Sequence, residues 1–116
     1  MEGQQKKPRK QQPPMLTISL GTPITLKGAA GAGDDVHTEI ELREPDFGQI
    51  QRFVKTVSAK GALAALRELI SEQSTIPALG IDKITASEFY KAQEYLLYFL
   101  SPPDEDDPEG NGEGSQ

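Results

Sequence analysis

The sequence predicts an α+β fold in which an N-terminal β-hairpin packs on a three-helix bundle, between two disordered charged tails. Apolar and polar residues alternate over Met15–Leu26 and Val36–Arg43, the pattern of strands with one buried face. Three later stretches repeat apolar residues at the spacing of amphipathic helices. The ends of the chain lack such patterns. The chain therefore divides into a basic Gln/Pro/Lys tail over 1–14, a domain over 15–100 and an acidic tail over 101–116.

The first strand contains a predicted irregularity. Gly21 and Pro23 indicate a bend or bulge, and Pro23, which cannot donate to a ladder, favours an edge position. A glycine-rich hairpin loop follows over 27–35. It does not predict a phosphate site, because no Gly-Lys-Ser/Thr follows it and Asp34 and Asp35 would repel phosphate.

The second strand leads into the first helix through Leu42-Arg43-Glu44-Pro45. Pro45 disfavours a helical Glu44 and can occupy the first helical position itself. Arg43 and Glu44 are expected to cap the turn or to pair with each other. The helix, over 46–59, carries one apolar stripe: Ile50, Phe53, Val54 and Val57. We expect the region from Leu42 to Val57 to be the centre of stability, with Phe53→Ala costing roughly 3–5 kcal/mol.

Two further helices are predicted. Ala62–Glu72 has the apolar stripe Leu63, Leu66, Leu69 and Ile70. A connector over 74–83 is expected to place Ile76, Leu79 and Ile81 on the core. The last helix starts with a capping box, Thr85-Ala86-Ser87-Glu88, and its inward face is expected to hold Phe89, Ala92, Leu96 and Phe99 or Leu100.

The last turns of that helix are apolar or aromatic around their whole circumference. Consecutive residues turn by about 100°, so Tyr95–Leu100 cannot all face one small core. Either the helix is buried between the hairpin and the other helices, or part of it meets another protein. On the second interpretation, the partner-binding residues are Tyr95, Leu97 and Tyr98, which we expect on the flanks or the outside of the helix.

Composition excludes several kinds of site. The chain has no cysteine and a single histidine, His37, which is expected on the polar face of its strand. Thiolate chemistry is therefore excluded, a zinc or copper site is not expected, and no nucleophile is placed beside a base. We expect no enzyme activity, no cofactor and no membrane span. The net charge is −6, with a basic cluster near the N-terminus: Lys6, Lys7, Arg9 and Lys10.

A resemblance is carried by the corner and the elements around it. A hairpin with the pattern Leu-x-x-Pro-Ile followed by Leu-x-Leu-Arg-Glu-Pro, and then three helices, resembles the tail assembly chaperone family of Mu-like and related long-tailed phages. The matching residues are Leu20, Pro23, Ile24, Ile40, Leu42, Arg43, Glu44, Pro45, Gly48 and Ile50, and then Ile84, Glu88 and Phe89 within 79–89. The resemblance spans roughly residues 16–100. The chain has Gln49 and Glu88 where the family commonly has aspartate.

The resemblance implies a function in the cytoplasm of the host bacterium. Such chaperones bind the tape measure protein and keep it soluble until the tail tube polymerises around it, and they are absent from the mature virion. It also implies possible contacts with the tail tube protein, with a frameshift-extended form of the chain and with further copies of it. Two alternatives stay open: a nucleic-acid-associated protein that uses the basic arm, and a structural component of the tail.

Overall fold

A computed structural model describes residues 11–28 and 33–101. The predicted α+β fold is confirmed: an antiparallel hairpin is followed by helices. The elements are β1 (Met15–Leu26), β2 (Asp35–Arg43), α1 (Phe47–Lys60), α2 (Ala62–Ser74), α3 (Ala78–Ile81) and α4 (Ala86–Leu100). The short helix α3 lies in the predicted connector. The disorder expected for the tails concerns mainly residues 1–10 and 102–116, which lie outside the described residues.

The bulge in β1 changes which side chains face the core. The ladder is regular from Met15↔Arg43 to Ser19↔Glu39, shifts, and resumes at Ile24↔His37. Cross-strand partners share a face of the sheet, so His37 joins the buried Ile24 and is half-buried. The alternation along β2 predicts Val36 on the buried face with Ile40 and Leu42, but Val36 is exposed. The extra residues of the bulge explain both differences, since a change of register exchanges the two faces.

The corner after β2 starts α1 one residue later than expected. Asp46 is the N-cap: its carboxylate accepts from the Gln49 N–H at 2.8 Å, and the Gln49 side chain accepts from the Asp46 N–H at 3.1 Å. Pro45 therefore precedes the cap instead of occupying the first helical position, and it is buried. At the other end, Gly61 has a φ of +98°, where a side chain would be strained, and it joins α1 to α2.

The core lies between the inner face of the hairpin and helices α2 and α4. Its members are Ile18, Ile24, Ile40, Leu42, Leu66, Leu69, Ile70, Ile76, Ile81, Ala92, Tyr95 and Leu96. Helix α1 packs on α2 and buries only Gln49. Within the expected centre of stability, Leu42 is fully buried, whereas Phe53 is only half-buried and Val54 is 60% exposed. Among the connector residues, Ile76 and Ile81 are buried as expected, whereas Leu79 is exposed.

Candidate partner-binding surface

An apolar groove lies between the first turns of α2 and of α4. Ile81 and Ile84 from the connector, together with Phe89 on α4, provide its apolar walls, and Leu63 stands at its edge. Ile81 is buried and Phe89 half-buried, whereas Leu63 is 69% exposed. The groove has a volume of about 320 Å³. A surface of this kind is suited to an apolar side chain of another molecule.

One edge of the groove is fixed by an ion pair. The Arg67 guanidinium donates from Nε to Asp82 Oδ1 at 2.6 Å and from Nη2 to Asp82 Oδ2 at 2.9 Å. The hydrogen bond from Arg67 lowers the pKa of Asp82, and the same bond raises the pKa of Arg67. This two-point geometry restricts both side chains and joins α2 to the end of α3. The groove therefore has an apolar interior and a charged, oriented edge.

The other end of the groove is fixed by the start of α4. The predicted capping box is present: Thr85 Oγ1 accepts from the Glu88 N–H at 3.2 Å, and Glu88 Oε1 accepts from the Thr85 N–H at 2.8 Å. Glu88 also crosses to the hairpin, where Oε2 accepts from the Gly21 N–H at 2.7 Å. That bond and the one from Thr85 lower the pKa of Glu88, whose residue is only 8% exposed. A buried carboxylate thus connects the bulge of β1 to α4.

Tyr95 is a core residue, which corrects its expected position on the flank or the outside of the helix. It is 1% exposed. Its hydroxyl donates to the Pro13 carbonyl at 2.9 Å, and its ring meets Phe99 edge-on with centroids 5.2 Å apart. Burial, and then the charge of Glu44, raise the pKa of Tyr95. The phenol is buried because the segment before β1 supplies an acceptor that helical periodicity does not reveal.

The other predicted partner residues have intermediate positions. Leu97 and Tyr98 are both half-buried near the end of α4. The Tyr98 ring meets Phe99 edge-on, with centroids 5.0 Å apart. Their role in binding stays a prediction.

The two residues before β1 contact the domain. The Tyr95 hydroxyl donates to the Pro13 carbonyl, and the Glu44 N–H donates to the Pro14 carbonyl at 3.4 Å.

The Leu42-Arg43-Glu44-Pro45 motif joins β2 to α1 and contacts partners that the sequence does not identify. Leu42 is fully buried. The Arg43 N–H donates to Gln73 Oε1 at 2.9 Å, and the Arg43 guanidinium donates to the Gln73 carbonyl at 3.4 Å. The expected pair between Arg43 and Glu44 is absent from the ion pairs of the described residues. Gln73 is the residue that sequence reasoning missed, since a polar residue near the end of a helix gives no signal of burial.

His37 Nε2 lies 3.0 Å from Asp35 Oδ2. Over residues 11–28 and 33–101, no group of three or more histidine, cysteine or acidic side chains is arranged to hold a metal. Over the same ranges, no helix is long and apolar enough to cross a membrane.

Comparison with known proteins gives no relative. No family model matches the chain, and neither a curated protein nor a solved structure does.

Proposed function

We propose that the chain is a tail assembly chaperone that binds the tape measure protein in the host bacterial cytoplasm and leaves before the virion is complete. The observation that carries the proposal is the exposed Leu63 beside the apolar groove of Ile81, Ile84 and Phe89. A small α+β domain with a hairpin followed by helices, and with an apolar groove among its helices, suits this role. The resemblance of the corner motif to that family supplies the identity of the partner.

The chemistry of the partner follows from the groove. A long amphipathic helix exposes apolar side chains at every third or fourth residue, and these promote aggregation until they are covered. The groove receives one such side chain, while the Arg67–Asp82 pair at its edge offers polar contacts to the flanking residues. A single shallow site gives modest affinity, and many copies along one helix give a coat that is both effective and removable.

The test is co-expression of the tape measure protein with matched chaperone variants. We expect Leu63→Ser to leave the domain folded by circular dichroism and to lose most of the soluble tape measure protein. Leu79→Ser is the control, because Leu79 is 72% exposed and lies outside the groove. Equal loss with both variants, or no loss with Leu63→Ser, would reject the groove as the binding site.

Leu97 and Tyr98 form a second candidate contact at the far end of α4. Both are half-buried, so a polar substitution there affects stability as well as binding. We expect Tyr98→Ser to reduce solubilisation of the tape measure protein less than Leu63→Ser does, at equal folded fraction. The reverse order would move the binding surface to the end of α4.

Particle composition separates the chaperone from the structural alternative. Mass spectrometry of purified mature virions should detect the tail tube and tape measure proteins without this chain. Stoichiometric amounts of the chain in virions would favour a structural component of the tail.

A further inference from the structure

The two outer edges of the hairpin differ in a way that points to self-association. The Arg43 N–H turns away from β1 to reach Gln73. Because orientation alternates along an antiparallel ladder, the N–H groups of Glu39 and Glu41 also face the outer edge of β2. Their ladder partners Ser19 and Thr17 then face the outer edge of β1. At these positions, both outer edges of the hairpin present backbone groups that are not paired with a strand.

Charge distinguishes the two edges. β2 carries three acidic residues, Asp35, Glu39 and Glu41, against one basic residue, Arg43, so a second copy of β2 paired with it would bring two negatively charged strands together. All twelve residues of β1 are uncharged. Charged side chains protect an edge strand from pairing, and β1 has none. Of the two edges, β1 is the one available for a further strand.

A groove runs along the open edge of β1. It has a volume of about 450 Å³, and it is lined on one side by Thr17 and Ser19 and on the other by Lys91 and Glu94 of α4. Within the described residues, no group bonds to the outward N–H of Thr17 or of Ser19. An open strand edge beside a helix is the arrangement that accepts an added strand.

The direction of α4 adds a further constraint. Glu88 contacts Gly21, and Tyr95 contacts Pro13, so α4 runs antiparallel to β1. The middle of that α4 segment, near Lys91 and Glu94, accordingly lies beside the middle of the strand segment, near Thr17. A two-fold axis perpendicular to the sheet at Thr17 therefore passes close to the Lys91–Glu94 pair.

We propose that two copies of the chain pair through β1 about a two-fold axis at Thr17, forming a continuous four-stranded antiparallel sheet. Such an axis keeps both α4 helices on the same side of the sheet and makes them antiparallel. In an interface of this symmetry, residue i of one copy faces residue j of the other, and j faces i. Lys91 of each copy then faces Glu94 of the other, which makes the pair of helices complementary in charge.

Charge reversal tests the proposal on the full chain. We expect sedimentation to give a species of twice the 12.6 kDa chain mass. Lys91→Glu and Glu94→Lys each place like charges across the axis and should weaken the dimer by about tenfold or more, because close charge pairs couple strongly at interfaces. The double variant should restore it, and mixing the two single variants should give a heterodimer. A monomeric wild type, or a dimer indifferent to these changes, overturns the proposal.

Disulfide trapping tests the same interface independently, because the chain has no cysteine of its own. Thr17→Cys should form a covalent dimer on mild oxidation, since the axis places the two copies of this position within disulfide reach. Glu41→Cys is the matched control: it lies opposite Thr17 on the same face of the hairpin, but on the other edge. Equal trapping at both positions would mean random collision and would reject pairing through β1.

Discussion

Helices α1 and α4 begin with the same local device. In both, an N-cap side chain accepts from the backbone of the third helical residue, whose own side chain accepts from the N-cap backbone. Asp46 and Gln49 form this box in α1, and Thr85 and Glu88 form it in α4. Each box satisfies two backbone donors that a helix start would otherwise leave unpaired.

The two boxes differ in what the third helical residue does next. Glu88 reaches the hairpin at Gly21, and α4 goes on to bury Ala92, Tyr95 and Leu96. Gln49 reaches only α2, where it bonds to Glu72 and Gln73, and α1 buries nothing else. A capping box therefore fixes where a helix starts, whereas its tertiary connections decide how much it contributes to the core.

Among the substitutions that test this difference between α1 and α4, we expect the largest loss of stability at Tyr95. Tyr95→Ala should lower the free energy of unfolding by about 3–5 kcal/mol, the range for emptying a buried aromatic site. Chemical denaturation followed by circular dichroism measures it. Tyr95→Phe keeps the ring and loses only the bond to Pro13, so it should cost about 1 kcal/mol. If Tyr95→Ala cost less than about 3 kcal/mol, α4 would be held as loosely as α1.

The fate of Tyr95 also shows what helical periodicity can and cannot predict. Local patterns predicted both strands, the bulge near Pro23, the box of Thr85 and Glu88, and the inward direction of Ala92 and Leu96. They do not predict which face a distant segment covers. The apolar stripe of the helix assigns Tyr95 to the outside. The carbonyl of Pro13, 82 residues away in sequence, accepts the hydrogen bond that allows the Tyr95 hydroxyl to be buried.

The next effect concerns Glu88. Glu88→Ala leaves the N–H groups of Gly21 and Thr85 without their carboxylate acceptor, which should cost about 2–3 kcal/mol. Glu88→Gln should fall between wild type and alanine. The two carboxylate oxygens each accept one bond, whereas an amide offers a single oxygen and turns its NH₂ toward a donor. Equal stability of all three proteins would show that the connection between α4 and the hairpin is dispensable.

Glu88 also gives the fold a pH dependence of known sign. Its pKa is lower in the folded chain than its ordinary value near 4.5. The stabilisation is therefore fully present above that pH and is lost as the pH falls through the folded pKa. As the pH is lowered below about 4.5, we expect the midpoint of chemical denaturation to decrease. Glu88→Gln should lack the part of this decrease that the Glu88 carboxylate causes. An unchanged acid profile in that variant would assign the effect to other carboxylates.

A reciprocal substitution at Gln49 should give the opposite pH dependence. The Gln49 amide donates from Nε2 to Glu72 at 3.2 Å and accepts at Oε1. Gln49→Glu replaces that donor with an acceptor and brings two carboxylates together, which we expect to cost about 1–2 kcal/mol near neutral pH. Protonation relieves the repulsion, so the loss should shrink on acidification. Gln49→Ala is the control and should show no such recovery.

The candidate partner-binding surface is only partly predictable from the sequence. Helical periodicity places Val54 and Leu63 on apolar stripes, and the connector pattern places Leu79 on the core, yet all three are exposed. The sequence does not indicate which of them lies beside a groove, because the groove depends on how the connector places Ile81 and Ile84 against Phe89. That placement follows from tertiary contacts between elements.

The smallest effects are expected on the apolar face of α1, where the helical pattern is as clear as in α4. Phe53 is half-buried, so Phe53→Ala should cost about 1–2 kcal/mol, less than the 3–5 kcal/mol of a fully buried aromatic. Val54 is 60% exposed, and Val54→Ala should change the free energy of unfolding by no more than about 0.5 kcal/mol. Denaturant titrations of the two variants beside Tyr95→Ala measure all three on one scale. A cost at Phe53 equal to that at Tyr95 would restore α1 as a centre of stability, and a large cost at Val54 would mean that this face of α1 is covered in solution.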